Sequence, residues 1–203
     1  MKFGKYNWRV LDVQSDRKLI ITEDIIEARP YDSEPDDEYD YGNLIWESCS
    51  LRRYLNGEFL QKFTREEQEQ ILEVKISNQN NIWYGISGGM DTQDKIFLLS
   101  LEESDRYFGN GGDYLGMKRK DLDFDTDKYF DKEDGGYYSN AHDADRLAKY
   151  ENAPATWWLR SPGIHKASAA SVFFNGGVCV FGLDISSMLD VICGVRPAMW
   201  VKI

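Results

Sequence analysis

The chain has 203 residues, with 35 acidic and 24 basic side chains and a formal net charge of −11 at pH 7. This length fits a single domain with a substantial buried core. Lys and Arg form no cluster long enough to follow a phosphate backbone, so nucleic acid is not an expected partner.

The N-terminal segment MKFGKYNWRVLDV is polar and typical of a strand, so we predict no export signal. No apolar run approaches the ~18 residues of a membrane span, so membrane insertion is not expected. These features predict a cytoplasmic protein, or one that reaches a surface by another route. Three cysteines without CxxC spacing argue against both a disulfide framework and a zinc knuckle.

The first part of the chain predicts a β-hairpin, a loop and a helix. Residues 8–26 contain two strand-like runs around a polar turn. The acidic, tyrosine-containing segment 29–43 is predicted to be a surface loop. A helix behind capping serines is then predicted over residues 51–55, and Asn56 and Gly57 are predicted to end it.

Two further helices are predicted from the spacing of a capping box. Thr64 is followed three positions later by Glu67, and Ser100 is followed in the same way by Glu103. Such pairs satisfy backbone N–H groups that have no partner at the start of a helix. A short buried strand is predicted at residues 95–100, just before the second of these helices.

The segment 109–138 has neither helix nor strand periodicity, and we interpret it as an acidic insertion. After it, NAHDADRLAKY is interpreted as one more helix, followed by a strand at WWLRS, an apolar hairpin and a terminal strand at VRPAMWVKI. Together these elements predict an α+β fold with short mixed or antiparallel strands, two or three helices and long loops. We expect one domain spanning residues 1–203.

Aspartates within the insertion have part of the spacing of a calcium-binding loop. Asp123, Asp125 and Asp127 would be positions 1, 3 and 5 of an EF-hand, but Lys128 stands where the sharp turn needs glycine. A solvated acidic loop is the favoured interpretation, because runs of like charge usually face water. No cofactor is therefore predicted, and calcium is retained only as a weak alternative.

The histidines and arginines of the second half do not form a recognisable catalytic set. His142 and His165 lie in no nucleophile-elbow context, so we predict no catalytic histidine. Arg160 and Arg196 each lie beside a proline-containing turn and between large aromatic residues. A guanidinium stacked on tryptophan often locks loop-rich β structure, so we predict structural roles for both arginines.

Six motifs between Trp8 and Ile203 together resemble a bacterial family of unknown function from Firmicutes and their phages. They are WRVLD, LIITEDI, WESCSLRRYLNGEF, TQDKIFLLSLEES, WWLRSPG and VRPAMWVKI. That family is similar to the C-type-lectin-like fold shared by formylglycine-generating enzymes and by the variable proteins of diversity-generating retroelements. The resemblance implies that the N-terminal and final strands lie side by side and bring the termini together. It implies no activity by itself.

The two related groups imply different functions. Enzymes of the formylglycine-generating type use a cysteine pair in a copper site; Cys179 and Cys193 are the only candidates here, and the surrounding motif is absent.

Variable proteins diversify residues near the C-terminus, where mutation of adenines cannot create Lys, Glu, Gln, Met or Trp. Between Ser171 and Cys193 only Met188 belongs to those five types. Apolar central strands would show the same depletion, so both explanations stay open.

The register of the C-terminal hairpin depends on its loop. A two-residue turn at Asn175 and Gly176 places Val172 opposite Cys179, whereas a three-residue loop beginning at Phe174 places Val172 opposite Val178. In the second arrangement the valines line one face, and the other face carries Ser171, Phe173, Cys179 and Phe181. Exposure of such an assorted set would mark an interaction site.

The leading prediction is a non-enzymatic binding module for a protein or carbohydrate, with a face near the C-terminus that a retroelement could diversify. The alternatives are an oxidoreductase of the formylglycine-generating type and a structural domain of a larger assembly. The predicted ligand-binding residues lie on or after the hairpin: Ser171, Phe173, Phe174, Cys179, Phe181, Leu183, Asp184, Ser186, Asp190 and Ile192.

Overall fold

A computed structural model gives the fold and describes residues 1–33, 45–109, 136–165, 167–184 and 193–203, with the backbone alone at Tyr138 and Asp184. Most of the predicted acidic insertion lies outside the described residues. So do several residues named above: Asp123, Asp125, Asp127, Ser186, Asp190 and Ile192. The calcium alternative and the last three predicted contact residues therefore stay predictions.

The described residues form short strands and short helices. The strands are β1 (Lys2–Phe3), β2 (Tyr6–Val13), β3 (Arg17–Thr22), β4 (Glu27–Ala28), β5 (Val74–Ile76), β6 (Thr92–Asp94), β7 (Tyr137–Tyr138), β8 (Lys149–Tyr150), β9 (Ala153–Pro154), β10 (Thr156–Pro162), β11 (Ser168–Val172), β12 (Val178–Asp184), β13 (Cys193–Val195) and β14 (Ala198–Lys202). The helices are α1 (Ser50–Tyr54), α2 (Arg65–Gln70), α3 (Leu101–Phe108) and α4 (Asp143–Arg146). None of these helices is long and apolar enough to cross a membrane.

Two larger sheets organise the molecule. The first has the strand order β1-β2-β3-β14, and the second has the order β4-β13-β10-β11-β12-β7. Neighbouring strands are antiparallel except for β10 and β13, which are parallel, among the pairs that the structure describes. The predicted α+β class with mostly antiparallel short strands is thus confirmed.

The C-terminal strand β14 lies beside β3, and not beside the first long strand β2 as predicted. β2 pairs with the opposite edge of β3. β3 lies between β2 and β14, and its residues 19–22 are all buried. The termini are not brought together: the Ile203 N–H donates to the Asp16 carbonyl near the start of β3, whereas Met1 pairs with Trp8 near the end of β3.

Helix α1 differs from its prediction at both ends. Its cap is Cys49 and not a serine, since the Cys49 sulfur accepts a hydrogen bond from the Arg52 N–H at 3.4 Å. Nor does the helical segment end at Asn56 and Gly57, because α1 continues into a π-helical turn (Leu55–Phe59) and a 3-10 turn (Leu60–Lys62). The Asn56 side chain donates to the Ile96 carbonyl at 2.8 Å, and this tertiary contact holds it inside the helical segment.

Both predicted capping boxes are confirmed. The Glu67 N–H donates to the Thr64 hydroxyl at 3.2 Å, and the Thr64 N–H donates to the Glu67 carboxylate at 2.8 Å. Ser100 and Glu103 make the same reciprocal pair at the start of α3, with both distances 3.0 Å. The predicted strand at residues 95–100 is instead an extended buried segment with a single bridge to β14.

Arg160 and Arg196 have the structural roles that their sequence contexts predict, since both are buried. Arg160 donates to the Leu98 carbonyl at 2.7 Å and pairs with the Glu103 carboxylate of the α3 capping box. The charge of Arg160 is therefore compensated inside the protein. This pair ties β10 to the start of α3.

Arg196 connects the two larger sheets. Its guanidinium lies 5.0 Å from the centre of the Trp157 ring on β10. It donates to the carbonyls of Thr22 at 2.9 Å and Glu23 at 3.1 Å, where β3 ends. A third hydrogen bond reaches the Arg146 carbonyl at 3.3 Å. One side chain thus satisfies three backbone carbonyls from two separate segments.

Replacing Arg196 by methionine is expected to destabilise the fold by about 3 kcal/mol or more, because the carbonyls lose their donors while the volume stays similar. Urea unfolding of the two proteins measures the difference. The matched control is Arg65→Met, since the Arg65 side chain is 89% exposed in its pair with Glu69. That change should cost at most about 0.5 kcal/mol. Equal stability of Arg196→Met and the unmodified protein would contradict the role given to Arg196.

Candidate functional site

The C-terminal hairpin has the three-residue loop of the second predicted register. The Phe173 N–H donates to the Gly177 carbonyl at 2.8 Å and closes the loop. Gly176 has a φ of +88°, a left-handed conformation that favours glycine. We call residues 174–176, which form this loop, the hairpin tip.

The assorted face of the hairpin is not exposed as a whole, and the expectation of exposure is wrong for Ser171 and Cys179. These two residues pair with each other, and both have a relative exposure of 0%. Trp158 on β10 lies opposite Ser171, and Tyr137 on β7 lies opposite Cys179. The two small side chains are thus flanked in one cross-strand row by two large aromatic ones, which shield them from solvent.

The other predicted contact residues within the described part of the chain are accessible to different degrees. Phe174 is 62% exposed, whereas Phe173, Phe181 and Leu183 are half-buried. The backbone of β12 continues to Asp184. The accessible part of the predicted site is therefore concentrated at the hairpin tip and along the second half of β12.

Two further aromatic residues extend this surface. Tyr137 is 37% exposed and stacks on Phe173, with ring centroids 5.5 Å apart and an interplanar angle of 25°. Gly136 separates Tyr84 from Phe181, since a β-carbon on Gly136 would lie 2.1 Å from the Tyr84 hydroxyl and 3.0 Å from Phe181. We call the resulting surface the aromatic strip: Tyr84, Phe181, Tyr137, Phe173 and Phe174.

The backbone of the hairpin tip is bound from the protein interior by Arg146 of α4, which has a relative exposure of 0%. Its Nε donates to the Gly176 carbonyl at 2.7 Å. Its Nη2 donates to Asn140 Oδ1 at 2.7 Å and pairs with the Asp143 carboxylate at 2.5 Å. Because the guanidinium is shielded from water, its bond to Gly176 is stronger than an equivalent bond at the surface.

A second set of hydrogen bonds fixes the hairpin tip through the side chain of Asn175. The Tyr137 hydroxyl donates to Asn175 Oδ1 at 2.9 Å, and the Gly177 N–H donates to the same oxygen at 3.1 Å. A β-carbon on Gly177 would lie 2.0 Å from the Tyr137 hydroxyl, so the tyrosine ring lies directly on the backbone there. The tip is therefore ordered by both its backbone and its asparagine side chain.

The other end of the aromatic strip is fixed by Asn81, which is 1% exposed. The Asn81 Nδ2 donates to the carbonyls of Val180 and Pro162, both at 2.9 Å. It thereby attaches the loop that carries Tyr84 to strands β10 and β12. The strip is thus built from three separate chain segments on a common framework.

The cysteines are not placed for thiolate chemistry. Cys49, Cys179 and Cys193 are all free and buried. Burial raises the pKa of Cys179 to about 12, and burial together with the neighbouring Cys179 raises the pKa of Cys193 well above its usual value. Both thiols therefore stay protonated at neutral pH, which weakens them as nucleophiles and as metal ligands. The described residues contain no group of three or more metal-ligating side chains.

Sequence reasoning missed Tyr84, Tyr137 and Arg146 as parts of the site. Tyr137 fell inside the predicted insertion, although a glycine pair followed by Tyr137 and Tyr138 is a usable strand signal. Nothing local to Tyr84 or Arg146 indicates that either residue lies near the hairpin. Their place in the site depends on contacts between segments that are far apart in the chain.

A family model described as a domain of unknown function, DUF6273, matches residues 15–203. The chain belongs to the DUF6273 family. Searches of curated proteins and of solved structures found no match. Membership of DUF6273 agrees with the expected family of unknown function and assigns neither a ligand nor a reaction.

All three thiols are expected to be unreactive towards Ellman's reagent in the native protein at mildly alkaline pH and to react once the protein is denatured. The reason is that each thiol is buried, which limits both access and ionisation. Absorbance of the released thionitrobenzoate counts the reacting thiols. Rapid reaction of Cys179 or Cys193 in the native protein would contradict this picture and would favour the oxidoreductase alternative.

Proposed function

We propose that this DUF6273 domain is a non-enzymatic binding module and that the aromatic strip is its contact surface. The observation that carries the proposal is the hairpin tip. Phe174 is 62% exposed although the backbone beneath it is fixed by a buried arginine. Large apolar side chains on an ordered surface loop are typical of interaction sites.

The rigidity of the hairpin tip favours binding in energetic terms. Ordering a mobile side chain or loop on association costs free energy, which lowers the affinity. Here the hydrogen bonds of Arg146 and Tyr137 already order the tip before a ligand arrives. Aromatic anchors with few rotatable bonds then supply contact area at low entropic cost.

A protein or a carbohydrate is the proposed ligand class, because both present groups that pack on aromatic rings. Charge gives a further constraint. The net charge of −11 repels acidic partners over several ångströms and favours basic or neutral ones. The nucleic-acid interface that was excluded on composition stays excluded in this proposal for the same reason.

The relation to the C-type-lectin-like fold is part of the proposal. It is supported by the joining of the N-terminal hairpin and the C-terminal strand in one sheet, and by a second sheet that carries the exposed hairpin. Retroelement diversification receives less support, since substitutions at the buried Ser171 and Cys179 would disturb packing. Free variation is compatible with the accessible residues of the strip and with Leu183.

Replacing Phe174 by serine is expected to weaken ligand binding about 30-fold, the effect of losing an anchor worth about 2 kcal/mol. The ligand is first selected on the immobilised domain from a displayed random-peptide library and from a glycan array. Affinities are then measured by calorimetry. The matched control is Met90→Ser, because Met90 is 69% exposed and lies outside the strip.

The control variant should bind the selected ligand as tightly as the unmodified domain. Circular dichroism verifies that both variants are folded. A selected ligand that binds equally well after Phe174→Ser and after Tyr137→Ser would place the contact surface elsewhere on the molecule and overturn the proposal.

A further inference from the structure

The described residues contain two Asn-Gly pairs, Asn56-Gly57 and Asn175-Gly176, in different environments. We propose that Asn175, at the hairpin tip, is a site of spontaneous deamidation. Asparagine is thermally labile, and a following glycine hinders attack by its backbone nitrogen least because it has no side chain. The inference concerns covalent chemistry and does not depend on the proposed binding function.

The reaction needs only water. The backbone nitrogen of Gly176 attacks Cγ of Asn175, so that a new N–Cγ bond forms and the Cγ–Nδ2 bond breaks. The backbone nitrogen loses its proton, and ammonia leaves. Water then opens the cyclic imide at one of its two carbonyls and gives either aspartate or isoaspartate. No oxidant, reductant or cofactor takes part.

The side-chain carbonyl of Asn175 is activated for this attack. Its Oδ1 accepts two hydrogen bonds, from the Tyr137 hydroxyl at 2.9 Å and from the Gly177 N–H at 3.1 Å. Two donors on one carbonyl oxygen stabilise the negative charge that develops there when a nucleophile adds to the carbon. Asn175 is exposed, and its Nδ2 has no hydrogen-bond partner within the described part of the chain, so the leaving nitrogen is unrestrained.

Asn56 has the same following glycine and also two donors on its Oδ1, but unlike Asn175 it has a bound Nδ2 and a helical backbone. Its Nδ2 donates to the Ile96 carbonyl at 2.8 Å and to the Arg52 carbonyl at 3.2 Å. Its Oδ1 accepts the N–H groups of Lys95 at 2.8 Å and Ile96 at 3.1 Å. The pair also lies inside a continuous helical segment, which keeps the backbone nitrogen away from Cγ. Asn56 is therefore an internal control within the same molecule.

The Gly176 N–H donates to the Phe173 carbonyl at 2.8 Å, so attack requires a brief opening of the turn. Surface turns open locally at a much lower free energy than the whole protein unfolds. Opening precedes the attack as a fast equilibrium, and the two donors on Oδ1 raise the fraction of openings that lead to reaction.

The product changes the hairpin tip. Aspartate adds a negative charge next to Phe174, and isoaspartate adds a methylene group to the backbone of the three-residue loop. The longer backbone cannot keep two hydrogen bonds of the tip in place: the one from Arg146 Nε to the Gly176 carbonyl and the one from the Phe173 N–H to the Gly177 carbonyl. Ageing of the protein would therefore loosen the hairpin tip.

The test is incubation of the full chain at mildly alkaline pH and 37 °C, followed by peptide mapping with mass spectrometry over several weeks. We expect conversion at Asn175, at least tenfold faster than at Asn56, as both aspartate and isoaspartate. Asn175→Gln removes the signal from the tip peptide. Conversion at Asn56 as fast as at Asn175, or an intact Asn175 after a synthetic peptide of residues 170–180 has fully converted, would overturn the proposal.

The variant Tyr137→Phe distinguishes two roles of the Tyr137 hydroxyl, which are activation of the Asn175 side-chain carbonyl and restraint of the Asn175 side chain. Loss of the hydroxyl donor should slow conversion at Asn175 several-fold if the hydrogen bond activates the carbonyl. Faster conversion in this variant would show that Tyr137 only holds the side chain in place, and it would overturn the activating role. Circular dichroism and the unchanged rate at Asn56 show that the variant keeps its fold.

Discussion

The buried guanidinium of Arg146 joins parts of the molecule that are distant in sequence. Its side chain donates to the carbonyl of Gly176 at the hairpin tip, at 2.7 Å. Its own carbonyl accepts the indole N–H of Trp157 at 3.1 Å and a guanidinium N–H of Arg196 at 3.3 Å. Because Arg196 also bonds to the Thr22 carbonyl, one continuous set of hydrogen bonds runs from the tip to the four-stranded sheet. Removing any member leaves a buried charge or carbonyl without its partner, which costs more than the bond itself contributes.

This connection gives the exposed aromatic residues their significance. A single exposed phenylalanine is ordinary on a protein surface. An exposed phenylalanine on a loop fixed by a buried arginine and by a tyrosine hydroxyl is ordered before any contact forms. The same arrangement favours the proposed deamidation, since the hydrogen bonds that order Asn175 also polarise its amide carbonyl. The order of the Asn175 side chain and its proposed susceptibility to ageing thus share the same two donors.

The buried face of the hairpin limits what the C-terminal region can do. Ser171 and Cys179 are enclosed between larger neighbours on the same sheet, so neither can contact a ligand directly. The thiol of Cys179 is also held protonated by its burial, which raises its pKa to about 12. Among the described residues of the hairpin, the accessible groups include the rings of Phe173, Phe174 and Phe181 and the amide of Asn175.

The amino-acid sequence by itself determined the features that depend on a few neighbouring residues. The capping boxes at Thr64 and Ser100 follow from side chains that reach backbone groups three positions away. The hairpin strands follow from apolar runs rich in β-branched and aromatic residues, and the glycine at position 176 permits the three-residue loop, although the sequence left two registers open. The structural roles of Arg160 and Arg196 were predictable because aromatic neighbours and prolines restrict where a guanidinium can go.

Only the tertiary structure decided which surfaces are accessible. The place of β14 beside β3, the burial of Ser171 and Cys179, and the arrival of Tyr84 and Tyr137 beside the hairpin all depend on segments that are far apart in the chain. Burial is a property of the neighbours that surround a side chain, and short-range periodicity does not specify those neighbours. For that reason the sequence could indicate an unusual hairpin, whereas only the packed sheet could show that Phe174 is exposed while Ser171 and Cys179 are buried.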